Sequence, residues 1–413
     1  MTGYIQTIKT KIPYSTREVE IDVMGKNLIL TGGNGCGKTQ LLNFLYEVLK
    51  KSIVNRQHHN EQELVNNINH FQSLLENTSK ASANYNSYLS NINTWQKQLE
   101  ETRNPPISLS ELEQFVVRYH ERKALFSKFD ATRQANIKAS RAAVSKEKLK
   151  QEENNERQGN AAATLFEEYL VSHKTSQAYA ESPSIDNNPA EAQQIKEWFD
   201  KLEKDLRELF EDQSLKLNFD SKEQTFFIKQ NNKEPYRLQQ LSSGFSSILS
   251  VYADLLTKVE LRSIAPDEID GVVFIDEIDA HLHVSLQRKI FSFLDKAFPR
   301  VQFIVTTHSP FVVSSVDDAV IYDLSRLEHV DDLSMYSYES VLEGLFNVLP
   351  VSEILKSKIL KMSEMASSTS PDITELERLV NDVRQHENKL DDESKFFLKT
   401  AQLVVNKVMS KGV

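Results

Sequence analysis

The stretch Gly32-Gly33-Asn34-Gly35-Cys36-Gly37-Lys38-Thr39 has the residue types and spacing of a loop that grips phosphate. Four of the chain's 11 glycines (Gly32, Gly33, Gly35 and Gly37) lie within it. Glycine lets successive backbone N–H groups turn inward around phosphate oxygens, where a side chain would collide. Lys38 is expected to reach the β- and γ-phosphates of ATP, and the Thr39 hydroxyl to help ligate Mg2+. Asn34, Gly35, Cys36, Gly37 and Gln40 complete the expected nucleotide-binding set. A second stretch, Val272-Val273-Phe274-Ile275-Asp276-Glu277, is an apolar run ending in two acids. A buried strand there delivers Asp276 to the metal, and Glu277 lies next to it, able to polarise a water that attacks the γ-phosphate.

Positioning these groups takes a strand before each motif and a helix after the loop. Asn27–Leu30 reads as the first strand, and Leu41, Leu42, Phe44, Leu45, Val48 and Leu49 recur at helical spacing after the glycines. The helix aims its positive end at the same phosphates. Tyr4–Ile8, Val19–Val23, Leu215–Phe219 and Thr225–Lys229 read as further strands, and Gly271–Ile275 and Val301–Thr306 as buried parallel ones. Between the lobes, a 4-3 repeat from Leu64 to Leu99 predicts one long, thin, coiled-coil-like helix with a weak middle, ended by Pro105 and Pro106. Phe115–Gln134 is a mixed stretch that can return to the core. Residues 135–178 read as helix-favouring, and 340–410 as helical.

Composition narrows the function classes. A net charge of −10 argues against a generally basic nucleic-acid binder, so any DNA contact needs a local patch. Arg133, Lys138, Arg141, Lys146, Lys148 and Lys150 form such a stretch, read either as a helix tracking a phosphate backbone or as a solvated face. No apolar run is long enough to span a bilayer, and the N-terminus lacks a signal-peptide core. The single cysteine, Cys36, suits a reducing cytoplasm. It is either a redox-sensitive thiol at a helix N-terminus or a passive loop residue.

Two further strings bring a family into view. Leu241-Ser242-Ser243-Gly244 resembles the signature of ABC-type ATPases, and Thr307-His308-Ser309 resembles their switch histidine. Within that superfamily the chain resembles the Rad50, SMC, RecF and OLD branch. The carrying residues are Asp276-Glu277-Ile278-Asp279-Ala280-His281-Leu282-His283 and Thr306-Thr307-His308-Ser309-Pro310. Phe126–Arg133 is similar to the arginine-containing segment near the branch's Q-loop, which makes Gln134 a candidate Q-loop glutamine. The resemblance implies an α/β fold: a P-loop ABC-type ATPase head (mixed sheet plus helices) with a helical, coiled-coil-like insertion and a helical C-terminal extension. The expected divisions are 1–55 for the first lobe, 56–212 for the insertion (115–134 assignable to the head), 213–325 for the second lobe and 326–413 for the extension.

The resemblance also implies a mechanism. Two heads sandwich two ATP molecules, Ser242, Ser243 and Gly244 of one head meet the γ-phosphate held by the other, Glu277 acts on water, and His308 senses the γ-phosphate. The unit is then a homodimer or higher homo-oligomer. Ser243 replaces a signature glycine, Phe245 and Ser246 replace the usual polar pair, and His283 stands where transporter subunits carry an aspartate. These departures bear on hydrolysis more than on ATP binding. Freestanding ATPases of this style resemble those of Septu, retron-linked and PARIS-type anti-phage systems, which implies a separately encoded effector such as an HNH or TOPRIM-type nuclease. A DNA-repair ATPase of RecF or Rad50 kind and a transporter ATPase subunit are the alternatives.

Overall fold

The computed structural model describes residues 3–57, 61–80, 82–155, 162–316, 318–330, 353–367, 372–387, 390 and 392–409. The chain divides into two units, 1–336 and 337–413.

In the first unit, β1 (Ile5–Lys11), β2 (Glu18–Asp22) and β3 (Asn27–Thr31) lead into α1 (Lys38–Ile53). The helical hairpin α2 (Glu61–Glu76) and α3 (Ala83–Arg103) follows, then β4 (Ile107–Leu109), α4 (Leu112–His120), β5 (Ala124–Phe129), α5 (Lys146–Asn155), α6 (Phe166–Glu181) and α7 (Pro189–Leu209). The chain continues through β6 (Lys216–Asp220), β7 (Thr225–Lys229), β8 (Tyr236–Arg237), α8 (Ser243–Arg262), β9 (Asp270–Ile275), α9 (Val284–Gln287) and α10 (Ile290–Ala297). It closes with β10 (Val301–Thr306), α11 (Pro310–Val313), β11 (Ala319–Asp323) and β12 (Glu328–Val330).

The main sheet runs β12-β11-β3-β10-β9-β5, parallel throughout except for β12. Every residue of β10 is buried, as covered parallel strands require, including the polar Gln302, whose side-chain amide donates to the Ile5 and Lys26 carbonyls. An antiparallel sheet β2-β1-β4 shares a core with α1, in which Leu41, Leu42, Leu45 and Leu49 pack with Ile5, Ile8, Ile21 and Phe274. A third sheet, β6-β7-β8, is antiparallel. Helix α8 is buried on nearly every side, including the ion pair Lys258–Asp254 (2.6 Å), so it runs through the interior rather than over the surface.

Three expectations change. The 4-3 repeat is not one helix: polar residues Asn77–Lys80 break it and Ser82 caps a return helix. The two arms are antiparallel, with the Phe71 ring 5.5 Å from Tyr88 and 4.7 Å from Trp95, and Arg103 paired to Glu61 at 2.8 Å. Within 56–212, expected as an insertion with 115–134 assignable to the head, more of the chain than that stretch joins the head. Strands β4 and β5 complete two sheets, and α6 and α7 are tied to α8, where Tyr169 and Trp198 both donate to Glu260 (2.8 and 2.7 Å). Finally, residues 131–145 form no helix, and α5 begins only at Lys146. Their backbone donors are taken by distant groups: Ala135 N by Ser246 Oγ (3.0 Å), Lys138 N by the Thr164 carbonyl (3.1 Å) and Ser140 N by Glu167 Oε2 (3.4 Å). Tertiary bonds outweigh the weak helical preference of the stretch.

The second unit carries three described helices, Glu353–Ser367, Ile373–Arg384 and Asp392–Met409. They bury Met362, Leu376, Val380, Leu398 and Ala401 together. Asp372 caps the middle helix by accepting from Glu375 N. Among the described residues no helix is long and apolar enough to cross a membrane.

Candidate active site

The adjacent strands β3, β10 and β9 lead into the phosphate loop, the switch string and the acidic pair respectively. The loop from Gly32 to Gly37 turns into α1 with Gly37 in the left-handed region at φ 100°, where a Cβ would also meet Ile12 at 2.6 Å. Lys38 is 5% exposed, and its ammonium donates to the Gly32 and Gly33 carbonyls at 2.8 and 3.0 Å. It also lies 3.3 Å from His308 Nδ1 and 3.7 Å from Cys36 Sγ. Burial holds the Lys38 pKa below its ordinary value, against the opposing pull of Cys36, Glu277 and Asp276. Burial and then the Lys38 charge push His308 down as well, so the imidazole is neutral and accepts from the ammonium.

Thr39 and Asp276, the two residues expected to hold a metal, are joined directly: Thr39 Oγ1 donates to Asp276 Oδ1 at 3.1 Å. Thr306, at the end of β10, serves both acids of the neighbouring strand. Its hydroxyl donates to Asp276 Oδ1 (2.6 Å) and accepts from Glu277 N (2.7 Å). Glu277 is half-buried with a left-handed backbone, φ 44°, and its carboxylate takes no hydrogen bond or ion pair among the described residues. Asp279 and Thr307 tie the same two segments again, at 2.5 Å. Residues 34–37 and Gln40 are at least partly exposed around the loop mouth.

These groups suit a magnesium triphosphate. The buried ammonium is bonded to neutral carbonyls, an imidazole and a thiol, and to no carboxylate among the described residues. An anion can therefore take its donors without breaking an ion pair. A hydroxyl and a carboxylate side by side, together with phosphate oxygens and water, are the donors Mg2+ takes.

Ser242, Ser243 and Gly244 are not joined to this cluster. Ser242 and Ser243 are exposed, and neither hydroxyl bonds to a described residue; Ser242 begins α8 without a side-chain cap. Gly244 is glycine because the His281 carbonyl sits 2.7 Å from where its Cβ would be. Phe245 stacks on Phe210 with centroids 4.3 Å apart, and Ser246 accepts from Ala135 N. Gln134 is exposed just after β5.

The basic stretch is not one surface. Arg133 is buried, and its guanidinium donates to backbone carbonyls of residues 276–278, so it offers nothing to DNA. Lys138, Arg141 and Lys148 are exposed, the last 3.8 Å from Glu152. Two contributors escaped the sequence reading. Thr306 stood inside the Thr-Thr-His-Ser-Pro string, but nothing local marked its double bonding. Ser325, whose hydroxyl accepts from Gly33 N at 2.8 Å, carries no sequence signal.

Residues 28–314 match the family described as "AAA domain, putative AbiEii toxin, Type IV TA system". The chain belongs to this AAA-domain family. The family fits the site: the match begins in β3, ahead of the phosphate loop, and takes in both acids and the switch histidine. Among curated relatives, a stretch of 102 residues is 43% identical to the Retron Ec83 probable ATPase of Escherichia coli, covering 24% of this chain and 19% of that protein. Septu protein PtuA of Bacillus mycoides is 31% identical over 178 residues, 43% of this chain and 23% of that protein. Septu protein PtuA of Bacillus thuringiensis is 32% identical over 171 residues, 40% of this chain and 41% of that protein. The chain thus spans less than half the length of each. Among solved structures, the SMC head bound to the C-winged helix domain of ScpA is similar with a TM-score of 0.38 and 14% identity, covering 78% of this chain and 94% of that one. The AAA-domain fold itself rests on the strand order and the motif positions at the strand ends.

Proposed function

We propose that this chain binds and hydrolyses ATP, with Mg2+, as the regulatory ATPase of an anti-phage defence system, controlling a separately encoded effector. The observation that carries the chemistry is the bonded cluster of Lys38, His308, Thr39, Asp276 and Thr306, with the Glu277 carboxylate unengaged beside it. In this reading Lys38 passes its donors from the Gly32 and Gly33 carbonyls to the β- and γ-phosphates. Thr39 and Asp276 hold Mg2+, which when bound neutralises charge on the phosphate oxygens. Thr306 keeps Asp276 oriented, and Glu277 takes up or orients the proton of the attacking water. His308 senses the γ-phosphate through its contact with Lys38. The exposed Ser242 and Ser243, with Gly244, act on the nucleotide held by a second copy, so the working unit is a homodimer or higher homo-oligomer.

The defence assignment is supported by the likeness to the Retron Ec83 probable ATPase and to Septu protein PtuA. An HNH or TOPRIM-type nuclease is the effector we infer, with the three-helix unit at 353–409 as its docking region. A DNA contact would fall to the exposed Lys138 and Arg141. We expect Glu277→Gln to bind ATP normally, to turn over about 10²–10⁴-fold more slowly, and to accumulate as an ATP-bound oligomer in light scattering. Wild-type turnover in that variant removes Glu277 from the mechanism. Unchanged phage plating on cells carrying this gene with its neighbour removes the defence role.

A further inference from the structure

We propose that Arg133 is a positioning residue for hydrolysis, clamping three successive carbonyls so that the chain turns at Glu277 and aims its carboxylate. This rests on the hydrolytic reading of the site. Nη1 of Arg133 donates to the Asp276 carbonyl at 2.8 Å and the Asp130 carbonyl at 3.2 Å. Nη2 donates to the carbonyls of Glu277 and Ile278 at 3.2 and 3.0 Å. Arg133 is buried, yet no carboxylate lies within ion-pair distance of it among the described residues. Desolvation lowers its pKa to about 10, which leaves it cationic at neutral pH. A buried guanidinium normally finds a carboxylate. Here its cost is borne for main-chain oxygens alone.

Three consecutive carbonyls can converge on one cation only if the chain curls around it. Glu277 does so at φ 44°, a left-handed conformation that a non-glycine residue adopts only when its surroundings hold it there. The other side of the curl is held by β10, where Thr306 Oγ1 accepts from Glu277 N (2.7 Å) and the Thr306 carbonyl from Ile278 N (3.0 Å). The peptide of Glu277 is thus gripped by its N–H from one strand and by its C=O from Arg133. Among the described residues its side chain takes no partner. The segment carrying Arg133 is itself anchored, with the Phe129 carbonyl accepting from Asp276 N (2.9 Å) and Ala135 N donating to Ser246 Oγ (3.0 Å). Lysine could not replace the fork, because one ammonium cannot span carbonyls lying in different directions.

The test uses the full chain with Arg133→Lys, Arg133→Ala and, for comparison, Lys38→Ala. We expect both Arg133 variants to lose about 10- to 100-fold in kcat, since a small misplacement of the base costs that much. Their KM for ATP and their affinity for a fluorescent ATP analogue should stay within about twofold of wild type. Millimolar guanidinium chloride should restore part of the kcat of Arg133→Ala and none of that of Lys38→Ala. Turnover in the wild type that Arg133→Lys keeps overturns the proposal and leaves hydrolysis standing. So does a loss in Arg133→Ala that guanidinium does not reverse and that parallels lost ATP affinity. A wild type that binds ATP without turning it over brings down the hydrolytic reading and this proposal together.

Discussion

The phosphate loop and the signature segment use their polar groups in opposite ways. Around Lys38 the side-chain donors are already committed within the chain, the ammonium to Gly32, Gly33 and His308 and the Thr39 hydroxyl to Asp276. At Ser242 and Ser243 neither side-chain oxygen bonds to a described residue, both residues are exposed, and Gly244 is pressed against the His281 carbonyl. A cluster that is complete before its ligand arrives is preorganised for it. A pair of exposed hydroxyls at a helix start, bonded to no described residue, leaves room for the contact with a second copy that we propose. The contrast separates the part of the site that one copy supplies to its own nucleotide from the part we propose it lends to its neighbour's.

Three experiments can break that division. Lys38→Ala should weaken ATP binding by about 10- to 100-fold, the size of losing charge-assisted hydrogen bonds, as measured by calorimetry. Unchanged affinity would show that the loop does not hold the phosphates. Ser243→Arg should leave binding by the single chain intact and reduce turnover by about 100-fold, as removal of preorganised transition-state contacts does. Mixed in equal amounts, Lys38→Ala and Ser243→Arg chains should recover activity that neither has alone, because one of the two shared sites is then whole. An inert mixture would count against sharing. The smallest effect concerns acid. His308 is held below its ordinary pKa of about 6.5, so the unfolded chain binds the proton first as pH falls. The stability tied to the neutral imidazole is fully present above that value and is lost as pH drops toward the depressed one. His308→Gln should therefore show a shallower decline in melting temperature below pH 6.5, and an identical decline would contradict the contact with Lys38.

What could be read from the sequence follows the same line. The loop, the acidic pair and the switch string are each contiguous, and their spacing carries the chemistry without reference to the rest of the fold. Strands β9 and β10 were visible because parallel strands covered on both faces read as largely apolar runs. Elsewhere the deciding partner is remote. Arg133 looked like the start of a basic helix until the carbonyls at 276–278 claimed it, 143 to 145 positions away. The 64–99 repeat fitted a single helix as well as two, and only the aromatic contacts of Phe71 with Tyr88 and Trp95 show the fold-back. Strands β4 and β5 were hidden inside a mainly polar, helix-rich stretch, where short strands leave little periodic trace.

The strand β3 that delivers the phosphate loop has two neighbours, β10 on one flank and β11 on the other. The family match ends at residue 314, before β11 begins at Ala319. A fragment trimmed to the matched region would keep every recognisable motif yet strip one side of β3, turning an interior strand into an open edge ready to pair with other chains. It would also discard Ser325 and with it the acceptor for Gly33 N. A piece that keeps β3 interior and Ser325 on Gly33 N therefore extends past the last recognisable signature, at least through Ser325.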